Sequence, residues 1–250
     1  MRVENIAVLG RGGSLRKFKK FSDLFETIYI VGNFYKEIKK IGVKYFKDKK
    51  IIHLISRTDR PLRNGYYKKL NIVRIQTMYH PHQLVSTKKY KKGILEKFKN
   101  FKIEFLPDYM KNRGYPLVDR KIIYKYMKEY DNYKDMNIFI EKNFKKEIER
   151  GVEKNRRSRY WPTTGIYALD LCLVESLPEN IYIFGIDAFK NLSYVKYNWE
   201  PGHVRENKDA SLVSKLMIYH MEEMAKEFCK TKFYSSTDSI KINQINWNKL

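Results

Sequence analysis

Residues that could do chemistry gather between Pro162 and Lys215, where the chain reads Pro-Thr-Thr-Gly, then an apolar run, then Ile-Tyr-Ile-Phe-Gly-Ile-Asp, and later Gly202-His203. Thr163 or Thr164 can cap a helix over Ile166–Ser176, and the N–H groups of its first turn, with the helix dipole, suit an anion. A strand from Ile181 into Gly185, Ile186 and Asp187 aims its carboxyl end at a site, as parallel strands of α/β proteins do. His203 lies just beyond, and its imidazole titrates near neutrality as a general base should. On spacing alone an ordinary αβ unit whose threonine only caps its helix accounts for the same residues. Upstream, Arg156, Arg157 and Arg159 offer guanidinium forks that match a carboxylate or phosphate. Near the amino end, Gly10, Gly12 and Gly13 permit a tight turn close to a ligand, and Ser14 can cap a helix that starts after it. That turn has neither the lysine and spacing of a P-loop nor the third glycine of a dinucleotide fingerprint, so a plain glycine-rich connection competes with it. Tyr79-His80-Pro81-His82 has a His-x-His spacing, but without further ligands nearby it reads as a turn rather than a zinc site.

The elements that must position these residues are short apolar strands and periodic helices. Val3–Leu9, Phe25–Val31, Ile51–Ile55 and Ile72–Met78 read as buried parallel strands. Phe34–Gly42 and Ala210–Phe228 read as helices, the second with Leu212, Val213, Leu216, Met217, Met221, Met224 and Ala225 on one face. His220, beside Glu222 and Glu223, reads as helix surface. Phe233 and Tyr234 suggest a last strand, and the chain from Asp238 reads as a polar, asparagine-rich tail. From about 88 to 155 lysine and tyrosine dominate with helical periodicity, which suggests a helical insert beside the sheet. The expected fold is α/β: one domain with a Rossmann-like, mostly parallel sheet flanked by helices, plus that insert.

Lys and Arg number 51 against 28 Asp and Glu, a formal charge of +23, which implies an anionic partner or a well-solvated surface. Cys172 and Cys229 fall in apolar helical patterns without metal or redox spacing, so both are expected to be buried thiols in a reducing compartment. The first residues lack the apolar core of a signal peptide, and no apolar run is long enough to span a bilayer. These features suggest a cytoplasmic protein with peripheral membrane contact as an option.

The motifs resemble, in their order, those of the bacterial sialyltransferases of glycosyltransferase family 42. The matching residues are Gly10-Arg11-Gly12-Gly13-Ser14-Leu15, Asn33-Phe34-Tyr35, Thr163-Thr164-Gly165, Gly185-Ile186-Asp187, Tyr194 and Gly202-His203. Pro-Thr-Thr-Gly also resembles a short motif of the animal sialyltransferases, family 29. The resemblance implies an inverting transferase that uses a CMP-activated sialic acid or related keto-sugar acid, with a glycan or glycolipid as acceptor. It implies His203 as general base, Tyr194 hydrogen-bonding the departing phosphate, and Tyr197 as a second hydroxyl, since Phe189 stands where the family has a tyrosine. Donor contacts would come from Gly10, Gly12, Gly13, Ser14, Asn33, Thr163, Thr164, Gly165 and Asp187. Arg159 would stand in for a family arginine whose place Trp161 takes, and Ser56-Arg57-Thr58 replaces a donor-contacting asparagine. Asp-x-Asp does not occur, so neither a metal nor any other cofactor is expected. A nucleic-acid-binding module, favoured by charge and aromatic content, is the alternative, with nucleic acid ranked below a sugar donor as partner. A nucleotide-binding enzyme of another class on the same sheet is a third possibility.

Overall fold

The computed structural model describes residues 4–55, 69–77, 103–105, 163–188, 208–238 and 240–250. Its centre is an eight-stranded sheet in the order β5-β4-β3-β2-β1-β6-β7-β8, every neighbouring pair parallel. The strands are β1 Asn5–Leu9, β2 Thr27–Val31, β3 Lys50–Ile55, β4 Ile72–Thr77, β5 Ile103–Phe105, β6 Asn180–Phe184, β7 Lys232–Ser235 and β8 Trp247–Lys249. Helix α1 covers Tyr35–Ile41, α2 Thr164–Ser176 and α3 Lys208–Glu227. This is the expected α/β architecture with a Rossmann-like parallel sheet.

Both faces of the sheet are covered, which is why β1 needs no polar alternation: Ile6, Ala7, Val8 and Leu9 are all fully buried. Ile6 and Val8 point into a core shared with α2 and α3. Ala7 and Leu9 point the other way, toward α1 and the 3-10 segment Gly13–Lys20, where Phe18 packs among Phe25, Phe46 and Phe184. Helix α2 is buried from Gly165 through Leu173, so it lies inside the molecule rather than on it. Its far end is tied to β4 by a paired bond, Arg74 Nη1 to Glu175 Oε1 at 3.0 Å and Nη2 to Oε2 at 2.5 Å. Leu177 then ends the helix in the left-handed conformation, φ 43° and ψ 52°.

Several expectations need correction. Ile103–Phe105 is a strand of the sheet within the segment read as a helical insert; the rest of that segment lies outside the described residues. The polar tail carries β8, held because Asn246 donates from Nδ2 to the carbonyls of Ala225 (2.9 Å), Phe228 (3.2 Å) and Thr231 (3.0 Å). Its side chain thereby caps the Ala225 carbonyl in the last turn of α3 and ties it to the turn that follows. Trp247 stacks on Phe233 with ring centroids 5.4 Å apart. His220 is buried, not surface, because it follows Met217 by three residues and precedes Met224 by four on the sheet-facing stripe. Cys172 is buried as expected, whereas Cys229 falls past the last residue of α3 and is exposed. Among the described residues no helix is long and apolar enough to cross a membrane.

Candidate functional site

The strand order reverses at β1, which lies between β2 and β6: from there the sheet runs through β2 to β5 on one side and through β6 to β8 on the other. Such a junction forms the crevice where α/β sheets bind ligands. Here the Gly10–Ser14 turn crosses the end of β6 closely. Gly10 N–H donates to the Phe184 carbonyl at 2.7 Å and Gly12 N–H to the Gly185 carbonyl at 2.7 Å. A Cβ on Gly12 would stand 2.5 Å from Asp187 Oδ2, and one on Gly10 would overlap the Gly185 carbonyl. The turn therefore needs glycines to approach β6, a requirement independent of any ligand.

Ser14 and Asp187 complete this latch. The Ser14 N–H donates to Asp187 Oδ2 at 3.0 Å, its hydroxyl donates to Asp187 Oδ1, and the hydroxyl oxygen accepts the Gly185 N–H at 2.9 Å. Ser14 does not cap the following segment by its side chain; Gly12 holds the cap position, and the Asp187 carboxylate takes the N–H that an N-cap side chain would serve. Ser14 and Asp187, both expected to face the donor, are bonded to each other.

On the α1 side, β2 runs into Gly32 and Asn33. Gly32 has φ +67°, which favours glycine, and its N–H donates to the Leu54 carbonyl at 2.7 Å. Its carbonyl accepts from His53 Nε2 at 2.5 Å. His53 is fully buried in β3, and that burial lowers its pKa to about 4, against the raising effect of the Gly32 bond. Asn33 comes next, 6% exposed, one residue before the cap of α1. Arg11 lays its stem beside Gly32, and its Nε bonds the fully buried Glu37 Oε1 of α1 at 3.1 Å.

Across the sheet, α2 begins at the same carboxyl edge. Thr163 is its N-cap residue in extended conformation, φ −70° and ψ 160°, with no side-chain cap bond. The hydroxyl instead lies 3.9 Å from Met217 Sδ on α3. Gly165 packs on Ile186, where an added Cβ would meet that side chain at 3.3 Å. The first-turn N–H groups of α2 thus face the carboxyl edge without a capping hydroxyl from Thr163, an arrangement suited to an anion.

The structure brings Gly10, Gly12, Gly13, Ser14, Asn33, Thr163, Thr164, Gly165 and Asp187 to one edge of the sheet. Arg159, Tyr194, Tyr197 and His203, with Phe189, His80 and His82, lie outside the described residues. Sequence reasoning missed Arg11, Glu37 and His53 around Asn33. It also missed Gln76, a buried amide near the end of β4 that makes no hydrogen bond among the described residues. The signal for His53 and Gln76 was a polar residue inside an apolar strand, since such a residue costs stability unless bonded. Among the described residues no group of histidine, cysteine and carboxylate side chains could hold a metal ion. No family model, curated protein or solved structure matches the chain.

Proposed function

We propose that this chain is a glycosyltransferase that moves sialic acid or a related keto-sugar acid from a CMP-activated donor to a glycan or glycolipid hydroxyl. The observation that carries the reading is the convergence of the glycine turn, Asn33 and the start of α2 at the carboxyl edge of the sheet, from sequence positions as far apart as 10 and 165. A keto-sugar acid supplies the carboxylate that the α2 N-terminus suits, and the monophosphate supplies a second anion. In the reaction the acceptor oxygen bonds to the anomeric carbon as the bond from that carbon to the phosphate oxygen breaks, inverting the centre. The acceptor proton passes to His203, and the hydroxyls of Tyr194 and Tyr197 hydrogen-bond the phosphate that departs as CMP. These roles rest on the family resemblance, as does the place of Arg159. A monophosphate donor has no pyrophosphate for a metal to bridge.

The test is an assay of donor hydrolysis and transfer with a CMP-linked keto-sugar acid, with and without chelator. Activity should survive chelation, His203→Ala should lower it by about two to four orders of magnitude, and Thr164→Val should weaken donor use by about 1–3 kcal/mol. Equal turnover of uridine diphosphate hexoses, or abolition by chelator, overturns the reading.

A further inference from the structure

We infer that His53 is a positioning residue for the crevice, acting through the Gly32 carbonyl to set where Asn33 stands. This rests on the reading that Asn33 contacts a nucleotide donor. Ile51 and Ile55, which share its side of β3, and Ile30 and Ile75, its partners on β2 and β4, are buried in the core on the α1 side. In that setting an apolar side chain would pack without a polar group to satisfy, so a histidine here calls for a specific bond. That bond goes to the one turn that carries Asn33. The Gly32 carbonyl can only accept, so the proton sits on Nε2, and burial keeps the ring neutral in this tautomer.

The turn is held at both of its polar atoms by adjacent residues of β3. Leu54 takes the Gly32 N–H through its backbone, as the next rung of the β2–β3 ladder would. His53 takes the Gly32 carbonyl through its side chain, where a ladder bond would otherwise continue the strand. With φ +67° at Gly32 the peptide to Asn33 turns out of the strand direction, and the imidazole sets the plane of that peptide. Arg11, whose stem lies beside Gly32 and whose guanidinium is held by Glu37, borders the same turn. Removing the imidazole donor frees the peptide to rotate and lets Asn33 wander, while the core around position 53 gains an apolar neighbour.

The experiment compares His53→Leu, which removes the donor, with His53→Gln, whose amide nitrogen can reach as Nε2 does. His53→Asn is too short to reach and serves if the leucine variant does not fold. Chains labelled with 15N-asparagine report the Asn33 backbone and side-chain amides by NMR, assigned by their loss in Asn33→Ala. Calorimetric titration with CMP reports binding. His53→Leu should shift the Asn33 signals and weaken CMP binding about tenfold or more, with no further loss in an Asn33→Ala background. His53→Gln should stay within about threefold of wild type, because it restores the one hydrogen bond at issue. Unmoved Asn33 signals in His53→Leu, or losses that multiply with Asn33→Ala, overturn the inference. If the wild-type protein does not bind CMP, the donor reading falls and the Asn33 signals alone decide the role of His53.

Discussion

Ser14 shows how one side chain can be read as a ligand contact while its bonds are internal. Its hydroxyl donates to Asp187 and accepts the Gly185 N–H, so truncation strands two buried partners at once. Ser14→Ala should therefore lower unfolding free energy by about 1–3 kcal/mol in urea titration, and a change below about 0.5 kcal/mol would show the latch to be dispensable. The glycine turn was legible in the sequence as a turn. Its partner was not, because Asp187 lies 173 positions away and only the parallel pairing of β1 with β6 brings the two together. His220 was misread for a related reason: Glu222 and Glu223 beside it suggested surface, whereas the periodicity of Met217, Met221 and Met224 places it on the buried stripe.

Among the elements, α2 was the most legible, since a threonine start, a long apolar run and a following proline mark a helix from either end. Its stop is less economical than its start. Leu177 holds a left-handed conformation that costs a β-carbon-bearing residue about 1–2 kcal/mol, and its side chain is 69% exposed, so little packing offsets that strain. Leu177→Gly should raise the thermal midpoint by a few degrees, corresponding to about 1 kcal/mol. A lower midpoint would mean that the leucine side chain contributes packing that outweighs the strain. β8 and β5 were invisible or masked by composition because each is 3 residues long, too short for a period to show.

At the scale of the whole molecule, two buried histidines make stability depend on pH. Burial lowers His53 to about 4 and His220 to about 3 from an ordinary 6.5. The unfolded chain then binds protons that the folded chain refuses. Stability is fully present above about pH 6.5 and falls as pH drops toward 4 and 3, by up to about 1.4 kcal/mol per pH unit for each histidine. Denaturant midpoints measured at pH 7.5 and pH 5 should differ in that direction, and His220→Leu should reduce the difference by roughly half. Equal midpoints in the wild-type protein would show that one or both rings are accessible to protons in the folded state.

The sequence by itself determined the architecture, because uninterrupted apolar runs such as Ile6–Leu9 and Ile28–Val31 demand burial on both faces, which a parallel sheet between helices provides. It also determined the punctuation, since glycines, Thr163 and Pro178 mark local backbone states that depend on neighbouring residues. Only the tertiary structure decided what these residues bond. The β1–β6 register commits Ser14 to Asp187, the β2–β3 register sets His53 against Gly32, and the packing of α3 leaves the Thr163 hydroxyl beside Met217 instead of on its own helix. Each of these partners is remote along the chain, and hydrogen bonding is directional over about 3 Å, so no local pattern could have specified them.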